Sequence, residues 1–135
     1  MKKAQIGIEY IILISFLAFA LIVILGIALF YSGNIKDRMK MNQISSFSGK
    51  IISNSEEVFY AGSPSKSTIS AYLPEGVKEI KIYDKNIFFS IQTNSGINNI
   101  SFSSKVNLSG TLSASMGVKN IQILAEQDKV IISQV

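Results

Sequence analysis

The chain has 135 residues, enough for one domain and not two. It contains no cysteine, histidine or tryptophan, which excludes disulfides, thiolate metal sites, a thiol nucleophile and the commonest general base and metal ligand. The net charge of +4 comes from 13 Lys+Arg against 9 Asp+Glu. It is spread along the chain with no basic stripe interleaved with aromatics, so nothing points to nucleic acid.

The chain opens on a short basic start, Met1-Lys2-Lys3-Ala4, that abuts an apolar run. Ile11 to Phe30 is twenty residues with no charge and one hydroxyl, Ser15. A helix of that length, at about 1.5 Å per residue, spans about 30 Å, the thickness of a bilayer core. In lipid the backbone must satisfy its own hydrogen bonds, so the run is predicted to be helical. It is longer than the roughly 7–15 apolar residues of an ordinary secretory signal, and Tyr31-Ser32-Gly33-Asn34 after it is a poor match to an A-x-A cleavage site. Processing is therefore expected before the apolar run, leaving the helix on the mature chain.

Glu9 is the single charge between Lys3 and Lys36. A carboxylate beside an apolar helix is expensive and usually has a partner. One reading places it at headgroup level near the helix start, where the helix dipole favours an acid. The other pairs it with a positive group on a staggered neighbouring helix. A new α-amino group at Gln5, charged at neutral pH, would serve. Polar groups that fix assembly register are a well-attested device.

The segment Lys2-Lys3-Ala4-Gln5-Ile6-Gly7-Ile8-Glu9-Tyr10, followed by the apolar run, resembles the class III signal peptide of euryarchaeal type IV pilins. That family carries a Q-x-S-x-E-x-x-x-L pattern, and Gln5, Glu9 and Leu13 fall at matching positions while Gly7 replaces the family serine. The resemblance implies cleavage by a prepilin peptidase between Ala4 and Gln5, recognition through Lys2, Lys3 and Gly7, and an assembly role for Gln5 and Glu9. Archaeal flagellins share the architecture without this Gln/Glu pattern, so the pilin reading ranks above them. The flanking charges pull the other way. Lys36, Arg38 and Lys40, offset by Asp37, outnumber Lys2 and Lys3 and on the positive-inside rule weakly favour a cytoplasmic C-terminal side. The family topology is the reverse, and the reading follows the motif.

Past the membrane segment, Ile35, Met39, Ile44, Phe47, Ile51, Val58 and Phe59 recur near helical period, predicting an amphipathic continuation from Asn34 to about Tyr60, with Gly33 a weak point between the halves. Gly62-Ser63-Pro64-Ser65 ends it. The period then changes to two. Ile69, Ala71 and Leu73 alternate, then Ile80 and Ile82, then Ile87, Phe89 and Ile91, separated by Pro74-Glu75-Gly76 and Asp84-Lys85-Asn86. After Asn94-Ser95-Gly96, Ile100, Phe102, Val106 and Leu108 mark one long strand or two short ones, and Val118–Ala125 with Val130–Ser133 form a last hairpin. The expectation is an antiparallel meander with one face on the helix and one in water.

Two glycosylation sequons occur, Asn99-Ile100-Ser101 and Asn107-Leu108-Ser109. Strand alternation points Asn99 and Asn107 outward, as candidates for sugars on an external filament. The acids outside the membrane segment read as surface or turn residues: Glu56-Glu57 as a solvated helix face, Asp84 and Asp128 as turn formers. No P-loop, G-x-S-x-G or dinucleotide-binding pattern is present, so no active site, metal or cofactor is expected.

The fold class expected is α+β, a lollipop-like arrangement of a long N-terminal helix and a small antiparallel β head. Its segments are a leader at 1–4, an apolar transmembrane or filament-core helix at 5–33, an amphipathic extension at 34–61 and a β head at 62–135. The resemblance implies a structural subunit that is inserted in the cytoplasmic membrane with its N-terminus inside, trimmed, and assembled with identical or related subunits by an assembly platform into a surface filament, with adhesion as its role. The rivals are a minor pilin, a pseudopilin-like piston, and an anchored β domain that binds a partner and never polymerises.

Overall fold

The structure, a computed structural model, describes residues 7–135 in full and residues 2–6 as backbone only. The chain divides into two compact units, Met1–Lys36 and Asp37–Val135. Its elements are α1 (Lys2–Ala61) followed by β1 (Lys66–Leu73), β2 (Val77–Tyr83), β3 (Asn86–Thr93), β4 (Gly96–Ser103), β5 (Leu108–Thr111), β6 (Gly117–Ala125) and β7 (Val130–Gln134). This is an α+β chain: one long helix whose N-terminal part is apolar, then a seven-stranded, mostly antiparallel sheet.

Within the first unit the helix runs through Gly33 without interruption. In the second unit its inner stripe is Ile44, Phe47, Ser48, Ile51, Ser55 and Val58, positions three or four apart on one helix face. Ile35 and Met39, expected on that face, are exposed; the buried stripe starts at Ile44, with Met41 only partly covered. The two serines were missed, because a periodicity of apolar residues does not register small polar ones. The helix stops at Gly62, whose positive φ of 90° is the left-handed conformation that closes helices and that glycine adopts without strain. The Gly62 N–H donates to the Phe59 carbonyl at 3.1 Å.

The strands lie in the order β1, β6, β7, β5, β2, β3, β4. This corrects the meander. β1 pairs along its whole length with β6, Lys66 opposite Leu124 through Leu73 opposite Gly117, and not with β2. Alternation marks a strand but not its partner, and β1 takes its partner from the far end of the chain: the Ala125 N–H donates to the Ser65 carbonyl at 2.8 Å, extending the β1–β6 ladder by one more bond. Gly76, at φ 91°, accepts the Gln92 N–H at 2.7 Å, which extends the β2–β3 pair by one residue beyond Val77 opposite Ile91. The remaining departure from an antiparallel sheet is β5 on β7, a parallel pair running from Leu108 opposite Val130 to Thr111 opposite Ser133. Gly110 sits at that seam, opposite both Ile82 of β2 and Ile132 of β7. A Cβ there would lie 1.9 Å from the Ile132 carbonyl oxygen, so only glycine allows the approach.

The segment from Ile100 to Leu108, expected as one long strand or two short ones, forms two elements. β4 ends at Ser103, and the Ser104 N–H then donates to the Lys85 carbonyl at 2.7 Å before β5 begins. A bulge between Val77 and Glu79 lets Val77, Ile80 and Ile82 all face the core despite their uneven spacing. The core joins the helix stripe to the inner residues of the strands, including Leu73, Ile87, Phe89, Ile91, Ile121, Ile123 and Ile132. Phe47 of the helix meets Phe89 of β3 edge-on at 6.1 Å, a preferred aromatic geometry. Lys119 is also buried. It shares the inner parity of Ile121 and Ile123, and its Nζ donates to Ser115 Oγ at 2.6 Å. Counting back by two from Ile121 would have found it.

Candidate functional site

Among its described residues the first unit leaves every large apolar side chain exposed. Its large apolar side chains stand open all round the helix, from Ile8 at 60% to Phe30 at 76%, with none below the 41% of Val23. The most apolar window has a mean hydropathy of 3.1 and no buried share. Fully burying one such side chain is worth about 1.5–3 kcal/mol, so the run from Ile8 to Tyr31 represents on the order of 20 kcal/mol or more of unrealised burial. A folded domain is stable by only about 5–15 kcal/mol. A helix apolar on every side is a span or a core element, not a water-facing surface. This one is long and apolar enough to cross a membrane.

Glu9 is exposed within this helix, and no salt bridge among the described residues involves it. Helical geometry puts Leu13 and Phe16 on its face, one and two turns along. Gly7 is exposed as well, and a Cβ there would meet nothing within 4 Å, so the packing within this chain does not require glycine at that position. The dibasic Lys2 and Lys3 and the expected cleavage pair Ala4 and Gln5 lie outside the fully described residues.

Two of the charges after the apolar run, Asp37 and Lys40, take part in the second unit's own packing. Asp37 accepts the Asn94 N–H through Oδ2 at 3.1 Å. Lys40 pairs with Glu75 at 3.4 Å, its side chain 21% exposed. Of the three cations after the apolar run, Lys40 is thus engaged by the β1–β2 linker, while Asp37, the acid that offsets them, is engaged by the β3–β4 turn. Lys36 and Arg38 are left as exposed flanking cations, equal in number to Lys2 and Lys3. Glu56, expected on a solvated face, is half-buried and accepts the Lys105 N–H through Oε1 at 2.9 Å. It fastens the helix to the segment between β4 and β5, whereas Glu57 is exposed as expected.

The two sequons occupy different environments. Asn99 is exposed on β4, an edge strand of the sheet. Asn107 is exposed too, but its Nδ2 donates to the Asp128 carbonyl at 3.2 Å and its own carbonyl accepts the Val130 N–H at 2.8 Å. Asp84 fills the β2–β3 turn at φ 52°, a conformation that Asp and Asn tolerate better than other residues with a side chain. Its carbonyl accepts the Leu108 N–H. Among the described residues no three of His, Cys, Asp and Glu come together as a metal-binding group.

Against known proteins, no family model matches the chain, and neither a curated protein nor a solved structure matches it.

Proposed function

We propose that this chain is a type IV pilin-like structural subunit. Held in the cytoplasmic membrane by α1, it is trimmed by a prepilin peptidase between Ala4 and Gln5. It then joins identical or related subunits through its apolar helix in a surface filament that serves adhesion. The observation that carries this reading is the bare apolar helix with one carboxylate near its start, continuous in sequence with a folded β unit. Such a helix needs an apolar partner, and lipid before assembly and other copies of itself afterwards both supply one. The sequence around Glu9 adds the processing motif. The role is structural and not enzymatic, with the β unit outside the membrane and the N-terminus inside.

The test is the N-terminal mass of the protein from isolated membranes and from sheared surface filaments. A chain beginning at Gln5 and abundant in filaments is the expected result. A chain still beginning at Met1 and confined to membranes would overturn the reading and leave an anchored β domain. A trimmed chain present only in traces would make it a minor or pseudopilin-like subunit.

A further inference from the structure

The outer face of the sheet carries one depression that the assembly reading does not use. It has a volume of about 320 Å³ and is lined by Glu79, Lys81, Tyr83, Phe88, Phe89, Ser90 and Asn99, from β2, β3 and β4. Tyr83 and Phe88 stack there with ring centroids 4.7 Å apart and planes 14° from parallel. Tyr83 is 50% exposed. Beside the pair, Glu79 and Lys81 bridge at 3.1 Å. An aromatic surface ringed by a carboxylate, an ammonium, a hydroxyl and an amide suits a saccharide. The C–H face of a sugar ring lies on the negative face of an aromatic ring, and its hydroxyls reach the polar groups placed around it.

The sequon at Asn99 opens onto this depression. Asn99 is opposite Ser90, and the sequon's Ser101 is directly opposite Phe88. Asn99 and Phe88 are therefore diagonal neighbours on one face, within reach of large side chains. β4 is an edge strand, so one side of the Asn99-Ile100-Ser101 backbone is unpaired. The second sequon is closed on both sides. Its Leu108 and Ser109 lie in β5, between β7 and β2, and Leu108 is 2% exposed. Its Asn107 amide is already bonded to Asp128.

We propose that Asn99, and not Asn107, carries an N-linked glycan whose first sugar packs on the Tyr83–Phe88 pair. The donor is a lipid-phosphate-linked oligosaccharide. Asn99 Nδ2 forms the bond to the sugar's C1 and loses a proton, the C1–O bond to phosphate breaks, and the electron pair leaves with the lipid phosphate. The proposal rests on the functional reading only for placing Asp37–Val135 outside the membrane.

The experiment starts with the full chain from its own cells, digested so that the peptides bearing Asn99 and Asn107 are weighed separately. A glycan mass on the Asn99 peptide and none on the other is expected. A chain trimmed at Gln5 and present in filaments but bare at Asn99 would overturn this proposal and leave the assembly reading standing. A glycan at Asn99 on a chain still beginning at Met1 would do the reverse. Phe88→Ala and the milder Phe88→Leu are then compared in the glycosylated chain and in Asn99→Gln. Losing the ring is expected to lower Tm by about 4 °C more in the glycosylated chain. Equal losses in both backgrounds would overturn the aromatic docking. Saturable binding of the free oligosaccharide to a native chain bare at Asn99 would overturn the covalent assignment and make the depression a site for external carbohydrate.

Discussion

Ser48 and Ser55 give the sharpest quantitative test of the fold. Both are fully buried on the inner face of α1, and neither hydroxyl has a hydrogen-bond partner. A buried, unpaired polar group costs about 1–3 kcal/mol relative to one left in water. Alanine removes that penalty and improves helix propensity by up to about 0.5 kcal/mol, while the hydroxyl's small volume leaves little cavity. Each Ser→Ala change is therefore expected to stabilise the Asp37–Val135 unit by about 1–3 kcal/mol, opposite to the usual effect of a core substitution. The residues are two helical turns apart, about 10 Å along the axis, so the two gains should add.

The assay is thermal unfolding of the full chain in detergent, followed by a signal specific to the sheet. For a unit of about a hundred residues, 1 kcal/mol moves Tm by about 4–8 °C, well above measurement error. Ser48→Val and Ser55→Val serve as controls. They add volume to a filled interface and should lose stability by about 1–3 kcal/mol. A destabilisation by either alanine variant of more than about 1 kcal/mol would refute the reasoning. It would mean that the hydroxyls are bonded, to a carbonyl one turn back or to trapped water.

Two further predictions follow from single residues. Gly110→Ala should destabilise the sheet by at least about 3 kcal/mol or prevent folding, because its Cβ would meet the Ile132 carbonyl oxygen at 1.9 Å in a backbone conformation of φ 148° that side chains rarely adopt; the check is unfolding by denaturant, and a normal midpoint would contradict the seam between β2, β5 and β7. Glu9→Gln should leave trimming at Gln5 intact but lower the subunit's share in sheared filaments about tenfold or more, the ratio expected from losing an ion pair worth about 1.4 kcal/mol; unchanged filament yield would remove Glu9 from assembly.

What the sequence made legible was what periodicity encodes. The apolar run, the helix end at Gly62 and the alternating strands were all readable, because a helix and a strand each leave a regular imprint on the order of apolar residues. Strand partners leave no such imprint. β1 lies beside β6, Lys66 opposite Leu124 and Leu73 opposite Gly117, a pairing between residues far apart in sequence. The same limit hid Ser48, Ser55 and Lys119, whose positions are inward while their chemistry reads as outward. It also hid Glu56, whose partner is a backbone N–H in a distant loop. At the N-terminus the converse holds. The proposed processing motif rests on the sequence alone, because a cleavage signal would be read by another protein and would need no packing of its own.

The bare helix and its single carboxylate together bear on how assembly would be driven. Moving α1's apolar surface from lipid into a bundle of like helices exchanges one apolar environment for another, so the area term that keeps it out of water nearly cancels. What can favour the bundle is closer van der Waals packing and the fate of Glu9. In lipid a charge near the helix start is held at the membrane surface, since drawing it to the bilayer centre costs about 2.5–3.5 kcal/mol or more. In a bundle it can meet a cation on a neighbour, and the α-amino group exposed by trimming at Gln5 is the cation that processing would create. Trimming and assembly would then be coupled by one charge. An uncut chain has no α-amino group at Gln5 and offers instead the flexible side chains of Lys2 and Lys3, so its Glu9 would be paired less closely and with more ordering cost. That coupling makes order matter: cleavage before insertion into the filament would be favoured thermodynamically as well as imposed enzymatically.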